Sequence, residues 1–154
     1  MQKLKIIFIV GHEKWGKSET LRALTNGDYY QKKITISGIS FFVRRMSNDD
    51  KPAEYIRFVK SVDPFYKPCI IAALCPNFER KKARTKYVLA TLQSKGYELF
   101  FWVIESQYKT SNVVTPLEIQ RLRAFGKVEV YTKKTEADVR SKSFMGFIAN
   151  AIDM

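Results

Sequence analysis

Apolar positions along this chain fall into two alternating patterns. Residues 4–10 (LKIIFIV) form a nearly continuous apolar run rich in β-branched side chains, as expected of a strand buried on both faces. Residues 69–76 (CIIAALCP), 97–105 (YELFFWVIE) and 127–132 (KVEVYT) read as further strands. Residues 33–45 (KITISGISFFVRR) read as a second, less regular strand region, bent or bulged at Gly38.

After each strand region the spacing becomes helical. A helix over 16–24 ends near the turn signal TNGD. In 48–62, acids and a first-turn Pro52 open a helix with Tyr55, Phe58, Val59 and Val62 at helical spacing. Residues 77–96 carry Asn77 as N-cap and Gly96 as stop. Over 115–126, Thr115 caps, Pro116 takes the first helical position, Glu118 completes a capping box and Gly126 ends the helix. The last helix spans 136–152, with Thr135 and Asp138 at capping spacing.

Five strand–helix units with short connections predict an α/β fold, a three-layer α/β/α sandwich around a mostly parallel five-stranded sheet. The 154 residues suit a single domain over 1–154, with no repeat or linker.

Charge adds a partner class to this picture. The formal net charge is +12, so the surface carries a field that draws phosphates, nucleic acid or anionic lipid, without choosing among them. No run approaches the roughly 18 apolar residues of a membrane span. The apolar run of "MQKLKIIFIVG" ends too early for the roughly 7 to 15 residues of a signal-peptide core. The chain therefore reads as cytoplasmic, with no membrane among its partners. The two cysteines, Cys69 and Cys75, share one strand about 20 Å apart, beyond disulfide reach, and read as reduced core thiols.

Candidate chemistry enters at residues 11–18, GHEKWGKS, which fit the pattern GxxxxGK[ST]. The pattern works only between a buried strand and a helix, where successive backbone N–H groups and the helix N-terminus converge on one anion; here it stands there. Gly11 turns the chain out of the strand and Gly16 allows close approach to phosphate. Lys17 is assigned to the β- and γ-phosphates and the Ser18 hydroxyl to Mg²⁺. Backbone amides of Glu13, Lys14, Trp15 and Glu19 supply further donors. His12, the only histidine, sits at a position that usually contributes backbone. Tyr29 and Tyr30 either stack on a base or cover the sheet edge.

On this motif the chain resembles the P-loop NTPase superfamily, whose Walker A sequence is "GHEKWGKS" here, and the βα layout extends the likeness loosely to the whole chain. The resemblance implies a strand order of 2-3-1-4-5 and a Mg–nucleoside triphosphate ligand, ATP by this reading. The superfamily's second motif ends an apolar strand with an acid; here Cys75 and Pro76 stand at that place. The DxxG and [NT]KxD signatures of GTPases do not occur, since "TKKT" at 132–135 ends in threonine. Residues 69–89 and the "TPLEIQRLR" segment look like parts of adenylylsulfate kinases and related nucleotide kinases, the latter falling where that family has its mobile lid. By this resemblance Lys17, Arg121 and Arg123 are the catalytic candidates. Being two apart on a helix, the two arginines do not share a face, so at most one acts on the transferring phosphoryl group.

Arg80, Lys81, Lys82, Arg84 and Lys86 crowd the predicted start of the third helix, either for an anion at the sheet's carboxyl edge or as a solvated face. Asp49 and Asp50 either orient an acceptor hydroxyl or cap a helix. Two function classes follow. One is a small P-loop phosphotransferase acting on a small phosphate acceptor. The other is a non-catalytic or weakly hydrolytic nucleotide-binding protein whose charge serves nucleic acid or another anionic partner.

Overall fold

The computed structural model describes residues 3–12, 15–25, 32–107 and 113–154. In chain order its first elements are β1 (Lys5–Val10), α1 (Lys17–Leu24), β2 (Lys33–Ile36), β3 (Ile39–Arg44), α2 (Pro52–Ser61) and β4 (Cys69–Leu74). Then follow α3 (Thr85–Ser94), β5 (Glu98–Ile104), α4 (Pro116–Arg123), β6 (Gly126–Tyr131) and α5 (Ala137–Ile152). The strands form one sheet of order β2-β3-β4-β1-β5-β6, parallel throughout except for β2 against β3.

The most apolar strands take the centre, where both sheet faces are covered. β1 lies between β4 and β5, with Ile7 in register with Ile71 on one side and Phe100 on the other. α1 packs beside α5 on one face and α2 beside α3 on the other, and α4 joins α3 through Gln93, which donates to the Phe125 carbonyl at 2.6 Å.

The sheet has six strands rather than five, because the region bent at Gly38 is a hairpin. Ser37 and Gly38 adopt φ of 51° and 80°, the paired positive angles of a two-residue turn matched to strand twist. Counting the hairpin as one unit leaves the order 2-3-1-4-5.

The third helix starts at Thr85, eight residues after Asn77. The intervening segment is tied down by side chains. Asn48 Nδ2 donates to the Ala83 carbonyl and to Thr85 Oγ1, both at 3.0 Å, and Thr85 Oγ1 donates to the Cys75 carbonyl at 3.1 Å. Arg80, Lys81 and Lys82 therefore lie on turns at the carboxyl edge of β4, not in a helical first turn, and Arg84 sits at the N-cap with φ 49°.

One buried charge closes the opposite edge. The Lys5 ammonium donates to the main-chain oxygens of Ala151, Ile152 (3.0 Å) and Met154 (3.2 Å), where α5 leaves its last carbonyls without intrahelical partners. Desolvation holds its pKa below the usual lysine value.

Candidate functional site

β1 hands the chain to the phosphate-motif residues at the carboxyl edge of the sheet. The Gly11 amide still donates to the Leu74 carbonyl of β4 at 3.2 Å, and α1 begins six residues later. Gly16 is the N-cap at φ 87°, a left-handed conformation that favours glycine. A Cβ there would also run into the Arg140 guanidinium. Lys17 folds back over the loop: its Nζ donates to the Gly11 carbonyl at 2.5 Å and to the His12 carbonyl at 2.9 Å. That places an ammonium beside the mouth of the loop.

The Ser18 hydroxyl is buried and finds no hydrogen-bond partner among the described residues. A buried hydroxyl of this kind costs about 1–3 kcal/mol unless something else meets it. The residues thus fit a cation held at the head of α1 beside a polyphosphate. Trp15 is buried, its ring against Gly11, and Glu19 lies in the first turn of α1. Glu13 and Lys14, assigned as amide donors, lie outside the described residues, as do Tyr29 and Tyr30.

His12 contributes its side chain as well as its backbone. Its Nε2 donates to Glu118 Oε1 at 3.1 Å, its Nδ1 faces the Cys75 thiol at 3.9 Å, and its ring meets Trp15 edge to face at 5.1 Å. Hydrogen bonding to Cys75 and Glu118 outweighs burial and pushes the imidazole pKa up to about 9. Burial alone would raise the Glu118 carboxyl, but the bonds from His12 and Thr115 hold it below its usual value. Glu118 Oε1 also accepts the Thr115 amide at 2.9 Å, completing the capping box of α4. One carboxylate therefore fastens the phosphate loop to the start of α4.

Cys75 occupies the end of β4, where the second motif of the resembling superfamily has an acid. Its amide donates to Asn48 Oδ1 at 2.8 Å, and the thiol is buried. The nearby acids are engaged elsewhere: Asp49 pairs with Arg80 at 2.8 Å, and Asp50 accepts from the Ser47 amide and hydroxyl at 3.3 and 3.1 Å. Among the described residues no three His, Cys, Asp or Glu side chains gather as a metal site.

Arg121 and Arg123 are not brought to the loop together. Arg121 pairs with Glu79 at 2.5 Å over the Phe78 ring, on the outer face between α4 and the turns before α3. Arg123 shares a cleft with Gly126 and Met154, at the amino edge of the sheet.

The residue missed from sequence is Arg140. It is buried on α5, with Nε donating to Thr20 Oγ1 at 3.0 Å and Nη1 to the Thr135 carbonyl at 2.5 Å, and it walls a cleft with Trp15, Gly16, Glu19 and Gln107. The signal was present: Arg140 stands on the same helical stripe as Phe144, Phe147, Ile148 and Ala151, all buried.

No protein-family model and no curated protein sequence matches the chain. Solved structures do. APE1195 superposes with a TM-score of 0.53 at 12% identity, over 99% of this chain and 98% of that one. The FeoB G-domain from Methanococcus jannaschii superposes with a TM-score of 0.50 at 16% identity, over 99% of this chain and 100% of that one. At such identities the likeness is one of fold: a P-loop NTPase-like α/β domain with a mostly parallel six-stranded sheet.

Proposed function

We propose that residues 11–19 bind a Mg–nucleoside triphosphate, with ATP as the first ligand to test. The observation that carries this reading is the head of α1: a left-handed Gly16, the Lys17 ammonium folded over the loop, and a buried Ser18 hydroxyl with no partner of its own among the described residues. Lys17 would shift from the loop carbonyls to phosphate oxygens, and Ser18 would ligate the metal. Bound Mg²⁺ supplies neutralisation of phosphate charge.

Titration calorimetry with Mg-ATP and Mg-GTP tests this. Lys17→Ala should weaken binding at least about tenfold, since a bond to a charged group contributes about 1.5–3 kcal/mol. Ser18→Ala should weaken it only when magnesium is present. Undiminished affinity in Lys17→Ala would sink the proposal.

The finer reading is phosphoryl transfer to a small acceptor. It draws on the basic residues Lys81 and Lys82 at the carboxyl edge and on Arg121 once its bond to Glu79 opens; Arg123, at the other edge, takes no part. A panel of phosphate acceptors with wild type and Arg121→Ala tests it, and turnover unaffected by that change removes Arg121. The second reading, nucleotide binding without efficient chemistry, is favoured by one observation: β4 ends in a buried thiol where a carboxylate would organise the metal.

A further inference from the structure

Among the described residues the two most exposed large apolar side chains are neighbours, at the opposite edge from the phosphate loop; Val113, Leu117, Val139 and Met154 are exposed singly elsewhere. In the turn between α2 and β4, Phe65 is 83% exposed and Tyr66 71%, adjacent in the chain and meeting edge to face at 5.1 Å. The turn is built rather than frayed. Asp63 Oδ1 accepts the Phe65 amide at 2.9 Å, and the Asp63 carbonyl accepts the amides of Tyr66 and Lys67 at 3.1 and 2.9 Å.

Four lysines lie on this turn or on the elements beside it: Lys60 in the last turn of α2, Lys67 in the turn itself, Lys33 at the start of β2 and Lys95 just after α3. The Lys67 and Lys33 ammoniums both lie over the Phe42 ring, at 5.2 and 4.6 Å. Lys95 Nζ donates to the carbonyls of Lys60 and Val62, both at 2.8 Å, which draws it to the end of α2 beside Lys60. The turn's own acid, Asp63, is engaged by the Phe65 amide.

We propose that this tip docks on the anionic surface of a phospholipid bilayer, Phe65 and Tyr66 entering the headgroup boundary and Lys33, Lys60, Lys67 and Lys95 facing the lipid phosphates. Aromatic residues at a tip with lysines behind them match the layering of such an interface, where rings sit at headgroup level and long cationic chains reach anionic groups. The geometry disfavours a single-stranded nucleic acid. Successive bases stack on faces that run roughly parallel, whereas the two rings here stand at 87°, each edge turned toward the other. A bilayer boundary imposes no such order. Among the described residues no helix is long and apolar enough to cross a membrane, so the contact is peripheral. A peripheral contact of this kind would stand against the expectation, drawn from sequence, of no membrane among the partners.

The test is co-sedimentation of the full chain with vesicles of equal parts phosphatidylcholine and phosphatidylserine, and with phosphatidylcholine alone. Binding is expected only to the mixed vesicles, and Phe65→Ser with Tyr66→Ser should lower the partition at least about tenfold at unchanged net charge. Lys60→Gln with Lys67→Gln should lower the partition by more than about twofold, whereas Lys51→Gln with Lys133→Gln, the same charge loss on exposed residues at the other edge, should leave it within about twofold of wild type. Both aromatics are exposed, so an unchanged melting temperature confirms that the fold is intact. In Tyr66→Trp, mixed vesicles should shift the emission to the blue. An aromatic double variant that partitions like wild type, or absence of the blue shift, overturns the proposal. So does loss of oligonucleotide binding in that variant with vesicle binding retained, which would assign the tip to nucleic acid.

Discussion

Gly16, Lys17, Ser18 and Arg140 show how much of the site rests on single side chains. Gly16 is fixed twice, by φ 87° and by the guanidinium that a Cβ would meet. Gly16→Ala should therefore destabilise the domain by about 1–3 kcal/mol, measured by urea denaturation, and abolish nucleotide binding. Arg140→Met keeps the stem's packing but leaves Thr20 Oγ1 and the Thr135 carbonyl without their donor. Its expected loss is about 1–3 kcal/mol in the same assay. The placement of Gly16, Lys17 and Ser18 at the head of α1 was legible in the sequence because the pattern GxxxxGK[ST] fixes their spacing after a buried strand. Arg140 was passed over because its stripe on α5 says only that it is buried, while the partner that ties it to the head of α1, Thr20, lies 120 residues away in the chain.

Among elements, the junction of the phosphate loop with α4 has the clearest consequences. Thr115→Ala removes the capping box and should lower stability by about 1 kcal/mol. The His12–Glu118 link makes stability depend on pH. His12 titrates higher folded than unfolded, so its contribution is whole below pH 6.5 and is lost as pH rises through about 9. Glu118 titrates lower folded than unfolded, so its share is present above its ordinary pKa of 4.5 and is lost as pH falls. Urea titrations of wild type and His12→Gln should differ most between pH 4.5 and 6.5 and converge as pH rises past 9. The helices with strong local signals, α2 with its proline and α4 with its box, start where the sequence places them. The α3 start did not follow, because Asn48 and Thr85 hold the preceding turns against β4 through bonds that span 10 to 37 residues. The hairpin at Ser37–Gly38 was read as a bend, since a serine there carries a weaker turn signal than asparagine or aspartate.

For the whole molecule, ligand binding and folding are one equilibrium. A nucleotide at about a hundred times its dissociation constant should add about 2.7 kcal/mol, and for a domain of this size that raises Tm by roughly 5–10 °C. Differential scanning fluorimetry should show the rise with Mg-ATP in wild type and not in Lys17→Ala. The layering was legible because central parallel strands must be apolar on both faces, which writes the sheet's middle into composition, whereas the strand order came from the resemblance carried by the phosphate motif. The exposed pair at 65 and 66 was not, because an aromatic in a short turn looks the same in sequence whether it folds inward or out.

The ammonium of Lys5 has a bearing on how the domain comes into being. It belongs to β1, made well before α5, yet the oxygens that satisfy it come from Ala151, Ile152 and Met154. While the chain is still emerging from the ribosome, that charge has no seat in the interior, and β1 cannot be sealed between its neighbours without leaving a cation stranded in low dielectric. Completion of the centre of the sheet should thus wait for the final turn of α5, making folding here a late, all-at-once event rather than one that proceeds strand by strand during synthesis.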